Sequence, residues 1–206
     1  MAALMEGDMT NALLKNPLSN FCKDISLSRF KNHSVSESLG VGSLRENKDE
    51  SEISQWLSLI FIRSENLKIS FKSKYHAENI KHFAASALLD SIDNLTKNRI
   101  DDFAKEFCNL TAGGIKAQIE KVLGSSMISL PLLTRWDDNV FFLSNGVDQE
   151  ETFTFEDSWE IYLDSDKRRF IQCFISVEVY NKNDAEVLMK EESYSEEEED
   201  GEIDFL

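Results

Sequence analysis

The sequence predicts an α+β fold: a mostly antiparallel β-sheet packed against two long α-helices. Three observations predict it. Residues 67–72 and 152–163 alternate apolar and polar side chains, the period of a half-buried strand. Residues 76–95 and 100–122 repeat apolar side chains every three or four positions, the period of an amphipathic helix. Short polar triplets, not long crossovers, join the strands, which favours antiparallel neighbours.

Taken in order, residues 8–25 carry a weak apolar pattern (Met9, Leu13, Leu14, Leu18, Phe21, Cys22, Ile25) interrupted by Pro17. One or two short helices are expected there, docked on the core. Residues 31–52 are rich in Ser, Asn, Lys and Glu and include Gly40 and Gly42, so they read as a linker or mobile loop. Residues 53–63 are apolar and rich in strand formers. In residues 67–72, Leu67, Ile69 and Phe71 alternate with Lys68, Ser70 and Lys72, and Ser64-Glu65-Asn66 closes a hairpin.

A helix over about 76–95 follows, burying Ile80, Phe83, Ala84, Ala87, Leu88, Ile92 and Leu95. The second helix runs from Ile100 through Phe103, Ala104, Phe107, Thr111, Ile115, Ile119 and Val122, and stops near Gly124. Residues 126–134 are extended around Pro131, an edge or entry position in a sheet. Val140–Leu143 is a short strand and Asn145-Gly146 a turn. In 152–163, Phe153, Phe155, Trp159, Ile161 and Leu163 face one way. Asp164-Ser165-Asp166 turns into a last strand with Ile171, Cys173, Ile175, Val177 and Val179 inward.

With 206 residues, 41% of them apolar, the chain can bury one good core. The reading divides it into an N-terminal extension with short helix and linker (1–52), a folded domain (53–182) and an acidic, disordered tail (183–206). Net charge is −16, which argues against nucleic acid and anionic membrane as partners. Much of that charge is local: after Lys190 come Glu191, Glu192, Glu196 to Glu199, Asp200, Glu202 and Asp204, with no base among them. The tail ends in Ile203-Asp204-Phe205-Leu206, a candidate docking peptide on a solubilising segment. Cys22, Cys108 and Cys173 form no C-x-x-C pair, so neither a disulfide framework nor a zinc site is indicated, and no metal-ligand set is expected. No signal peptide or membrane-spanning run is seen, so a cytoplasmic protein is expected.

The chemistry-bearing stretch is Glu106-Phe107-Cys108-Asn109, followed by Gly113-Gly114-Ile115-Lys116 and then by Ser129-Leu130-Pro131. At about 100° per residue, Asp102, Glu106, Asn109, Gly113 and Lys116 fall within an arc of roughly 80° opposite the apolar stripe. Glu106 and Asn109 are therefore neighbours on an exposed face. Gly113 has no side chain and lets a partner surface come close. The glycine pair costs about 2 kcal/mol of helix propensity relative to alanine, so it needs a reason. The alternatives are a kink, or close packing of Gly114 on the sheet side. Ordinary solvated polar residues on a helix face give the same pattern. His76 and His82 do not share a face, and Cys108 points to the apolar side.

The arrangement resembles the Glu-x-x-Asn-x-x-x-Gly motif of the CheX/CheC family of chemotaxis phosphatases. Glu106, Asn109, Gly113, Ser129 and Pro131 match its pattern, and the strand–strand–helix–helix–strand order over residues 53–180 matches its layout. The hairpin departs from it, with Ser64-Glu65-Asn66-Leu67 where the family commonly has Gly-x-x-Gly. The first helix carries Asp90-Ser91-Ile92-Asp93 in place of a second Glu-x-x-Asn site, which favours the CheX-like branch.

The resemblance implies a protein phosphatase that hydrolyses the aspartyl phosphate of a CheY-type response regulator. In that chemistry the receiver supplies Mg²⁺, and the phosphatase needs no cofactor of its own. Phosphoryl transfer is loose, so placing a water in line is the main task left. Asn109 would orient that water through its carboxamide, and Glu106 would anchor the receiver. Asp102, Gly113 and Lys116 would form the docking surface. The expected partners are the phosphorylated receiver and a second copy of the chain, as a homodimer. The alternative is a non-catalytic receiver-binding or flagellar-motor-associated module on the same fold.

Overall fold

The structure, a computed structural model, describes residues 2–35, 38–43, 56–135, 152–163, 169–188 and 190, with side chains from residue 17 onward. Trp136, the expected strand at Val140–Leu143, the turns at Asn145-Gly146 and Asp164–Asp166, and the acidic segment 191–206 lie outside the described residues.

The elements run α1 (Ala2–Ser34), β1 (Leu39–Ser43), β2 (Trp56–Arg63), β3 (Leu67–Tyr75), α2 (Ala77–Ala87), a 3₁₀ turn (Ile92–Asn94), α3 (Lys97–Leu123), β4 (Met127–Ile128), β5 (Leu132–Arg135), β6 (Phe153–Leu163), β7 (Arg169–Val179) and α4 (Lys182–Leu188). The seven strands form one sheet, ordered β1-β6-β7-β3-β2-β4, with β5 also on β2. All pairings are antiparallel. The expected α+β class holds.

Register follows from alternation. Ile62, Ile69, Val177 and Phe155 stand in one row across four strands, and Ile60, Phe71 and Ile175 in another; all are buried beneath the helices. The opposite face carries Lys68 and Glu178, whose Nζ and Oε1 lie 2.6 Å apart. Between Ile161 and Tyr162 the pairing with β7 shifts by one residue. That irregularity turns both Phe170 and Ile171 into the core.

Four sequence expectations are corrected, one of them the disordered tail from 183, where α4 buries Ala185 and Leu188. First, part of the segment read as an extension outside the 53–182 domain belongs to the core. Leu18, Cys22 and Phe30 are fully buried. The Phe30 ring meets Phe83, Phe103 and Phe107 edge-on at 5.3, 5.8 and 5.1 Å. Burying a ring of that size is worth roughly 2–3 kcal/mol. The helix passes through Pro17 without ending and reaches Ser34. Ser26 accepts from Trp159 Nε1 at 2.8 Å, and Asp157 on β6 takes a hydrogen bond from Ser19 and an ion pair from Lys23 at 2.9 Å. Burial alone would raise the Asp157 carboxyl; those two partners outweigh it and hold it below its ordinary value.

Second, the expected linker over 31–52 contains the end of α1 and an edge strand. In β1, Val41 faces Ile161 and Gly42 faces Glu160. A side chain at Gly42 would stand 3.2 Å from the Tyr162 ring, so this glycine makes room within a strand. Third, the helix expected over 76–95 ends at Ala87. Leu89 takes φ +49°, and Leu88 and Leu89 are exposed. Asp90 Oδ1 accepts from Ser91 N at 2.7 Å and Asn94 Nδ2 at 3.2 Å, while Ser91 Oγ accepts from Asp93 N at 3.2 Å. Those side chains offer the backbone partners that a continuing helix would have supplied. The second long helix over the sheet is therefore α1.

Candidate functional site

Helix α3 is held at both ends. Thr96 caps its start, its hydroxyl accepting from Arg99 N at 3.4 Å. Gly124, at φ +84°, ends it, as the sequence led us to expect. Phe103, Ala104, Phe107, Cys108, Thr111, Ile115 and Ile119 are buried. Near the start, Tyr75 donates to Asp101 Oδ1 at 3.4 Å and Lys97 lies 4.0 Å from its other oxygen. Burial pushes the Asp101 carboxyl up, against the pull of Lys97.

The helix is continuous through Gly113-Gly114, so the pair marks no break. The two glycines do different things. A side chain at Gly114 would come within 2.7 and 2.9 Å of Ile25 on α1, so its absence lets α1 and α3 touch. The close packing expected at Gly114 is real, but its partner is α1 and not the sheet. A side chain at Gly113 would meet nothing within 4 Å. This stretch of α3 is open.

Glu106 and Asn109 lie on that open side, each partly exposed. Among the described residues, neither has a hydrogen bond or ion pair. Two of the expected docking side chains are engaged. Asp102, 68% exposed, takes the Lys105 ammonium at 2.5 Å. Lys116 pairs with Glu120 at 2.6 Å, and Glu120 also accepts from Ser126 N at 2.8 Å, so Lys116 and Ser126 hold that carboxyl low. Among the described residues, the site thus presents a carboxylate and a carboxamide without partners between two satisfied ion pairs.

Cys108 is buried, as expected. Burial pushes its thiol up to about 12, against a smaller pull from the Ser58 and Ser73 hydroxyls beside it. It stays protonated and has no part in surface chemistry.

Ser129 has a structural task. Its amide donates to Phe61 O at 2.9 Å and its hydroxyl accepts from Phe61 N at 3.0 Å. The side chain thereby serves the β2 ladder where β4 has ended and Pro131 brings no N–H.

Sequence reasoning missed two residues beside α3. His33, in the last turn of α1, stacks on Phe103 with centroids 4.3 Å apart, and its Nε2–H donates to Phe103 O at 3.1 Å. Burial lowers its pKa, opposed by that hydrogen bond and by the nearby charge of Glu106. Arg29, one turn earlier on α1, lies against Gly114. The available signal was the continuing four-residue spacing Leu18, Cys22, Ser26, Phe30, Ser34. Among the described residues, no group of three or more His, Cys, Asp or Glu is placed to hold a metal ion, and no helix is long and apolar enough to cross a membrane.

No family model matches the sequence, and no curated protein does. Solved structures do. A CheC-like superfamily protein from Shewanella sp. PV-4 is similar at 16% identity and TM-score 0.53, over 80% of this chain and 97% of that one. CheX of Borrelia burgdorferi, solved in a complex with CheY, BeF₃ and Mg²⁺, is similar at 13% identity and TM-score 0.55, over 77% and 96%. A chemotactic CheC-like protein from Shewanella oneidensis MR-1 is similar at 14% and 0.51, over 81% and 97%. At such identities the likeness speaks to fold alone. With its antiparallel sheet and overlying α3, this chain has the fold of the CheX/CheC-like chemotaxis proteins.

Proposed function

We propose that this chain is a phosphatase of CheY-type response regulators, hydrolysing the aspartyl phosphate of the bound receiver. The observation that carries the reading is the pair Glu106 and Asn109, unpartnered among the described residues and side by side along the open face of α3. A polar pair left without partners between satisfied ion pairs is available to a partner's chemistry. The structural neighbour from Borrelia, a CheX in complex with CheY, BeF₃ and Mg²⁺, supports the choice of partner.

In this reading the receiver brings Mg²⁺ and the phosphorylated aspartate. Asn109 accepts from a water through its carboxamide oxygen and donates through its amide to a phosphoryl oxygen. The water attacks phosphorus in line, the bond to the aspartyl oxygen breaks, and the proton leaves with inorganic phosphate. Glu106 pairs with a receiver cation and sets the register. Gly113 lets the receiver approach. The sheet edge at β4 and β5, with Met127, Leu130 and Leu132 exposed, is the face we assign to a second copy of the chain. Light scattering at tens of micromolar checks that assignment: a monomer removes it.

The test is loss of phosphate from CheY-type receivers of the same organism, with and without the protein. The wild type should accelerate it. Asn109→Ala should lose on the order of 100-fold of that acceleration while melting as the wild type does. Unchanged acceleration in Asn109→Ala would remove the catalytic assignment. Binding of the receiver with no acceleration by the wild type would make this a non-catalytic receiver-binding module.

A further inference from the structure

Arg29 carries a charge that nothing in the described structure answers. Its Nε is buried without a hydrogen-bond partner, while the residue as a whole is only partly covered. It lies along the α1 flank of the open stretch of α3: a side chain at Gly114 would stand 3.6 Å from that Nε, and Gly113 beside it faces open space. Lys23 is matched by Asp157, Arg99 by Asp90, Lys105 by Asp102 and Lys116 by Glu120, and unlike the exposed Lys121 the Arg29 Nε is buried. A half-covered guanidinium without an acceptor has lost water and gained nothing for it. An incoming anion restores the balance, and the planar fork of Arg suits a carboxylate or phosphoryl oxygen better than Lys would.

We infer that Arg29 is a docking residue that receives an anionic oxygen at the rim of the partner's phosphoaspartate site. This rests on the phosphatase reading above, in which the receiver presents a phosphoryl group among the carboxylates that hold Mg²⁺. Arg29 then supplies attraction from α1 while Glu106 and Asn109 engage from α3, so two helices distant in sequence share one contact surface. Glu106 repels an anionic rim on its own. Arg29 offsets that repulsion in a chain whose net charge is −16.

The experiment titrates the full chain, Arg29→Gln and Arg29→Lys with the organism's CheY-type receivers. Each receiver is used with Mg²⁺ alone and with Mg²⁺ plus beryllofluoride, at low and high ionic strength. Arg29→Gln keeps the inner part of the stem and a polar group near the place of the Nε that lies beside Gly114. It should bind about 10-fold more weakly, with a flatter salt dependence, and melt within a degree or two of the wild type. Arg29→Lys should recover part of the loss. A loss in both receiver states assigns the contact to a carboxylate; a loss confined to beryllofluoride assigns it to the phosphoryl group. Wild-type affinity and salt dependence in Arg29→Gln would overturn the inference and leave the phosphatase reading standing. So would a loss that tracks a drop in melting temperature. A wild type that binds none of the receivers would overturn the phosphatase reading itself, and the inference with it.

Discussion

Asp90 and Glu106 are both acidic residues in the helical layer above the sheet, and their fates differ. Asp90 accepts from Ser91 N and Asn94 Nδ2 and pairs with Arg99. Those partners, Arg99 first, hold its carboxyl below its ordinary value. The carboxylate ends one helical run and ties it to the start of α3. Among the described residues, Glu106 has neither a hydrogen bond nor an ion pair. A residue already satisfied by its own chain has little to offer a partner, and one left unsatisfied in a folded protein has a great deal. The difference is why the proposed chemistry is placed on α3, and why the Asp-Ser-Ile-Asp segment is read as structural.

The comparison breaks most visibly in receiver binding. Glu106→Ala should weaken the complex by about 2 kcal/mol, roughly 30-fold, because an ion pair at a partly dry interface loses one partner. Glu106→Lys should be worse, since it sets like charges together. Asp90→Ala should leave the affinity where it was. Equal losses at both positions, read by titration, would end the distinction.

A second contrast concerns the two glycines. Gly113→Ala meets nothing and should gain about 1 kcal/mol of helix propensity. Gly114→Ala gains the same but pushes into Ile25, at a cost of about 1–3 kcal/mol. Urea melts should separate the two variants by that cost, with Gly113→Ala the more stable. Coincident melts would mean that α1 and α3 are not in close contact there.

A smaller effect is expected with pH. The His33 pKa is depressed in the fold, chiefly by burial, below its ordinary 6.5. The unfolded chain therefore binds the proton first as pH falls. Stability from this group is fully present above 6.5 and declines below it, until the folded pKa is passed. His33→Gln should flatten the stability profile in that window and leave it unchanged above neutrality. An unaltered slope would show that His33 does not titrate differently on folding. Asp90→Asn should do least: a slightly lower melting temperature and faster amide exchange around residues 88–94, with phosphatase activity intact.

Much of this was legible in the residues. Helix α3 could be read because its apolar stripe is regular and Gly124 ends it, and the same period places Glu106 and Asn109 outward. The strands could be read because 67–72 and 152–163 alternate. The helix over 76–95 was overrun because Leu88, Ile92 and Leu95 continue the apolar spacing, while Asp90 and Ser91 end it through hydrogen bonds that periodicity does not register. Helix α1 was cut short because its inward stripe includes Ser19, Ser26 and Ser34, buried polar side chains that look like surface in a one-dimensional pattern. Arg29 and His33 escaped for the same reason. They reach the site from a helix that lies far from it in sequence, and only the fold brings them together.

The seat of α1 also sets an order of events during synthesis. Ser26 and Trp159 bond across 133 residues, and Ser19 and Asp157 across 138. Helix α1 cannot reach its place until β6 has followed it out of the ribosome. At about 5–20 residues per second that interval is roughly 7–30 s. Throughout it Phe30, later the hub of the aromatic cluster, lacks at least Phe170 among its ring partners. The nascent chain thus exposes the apolar stripe of α1 before its seat is complete, and its yield in a cell depends on what shields that stripe while the last strands are made.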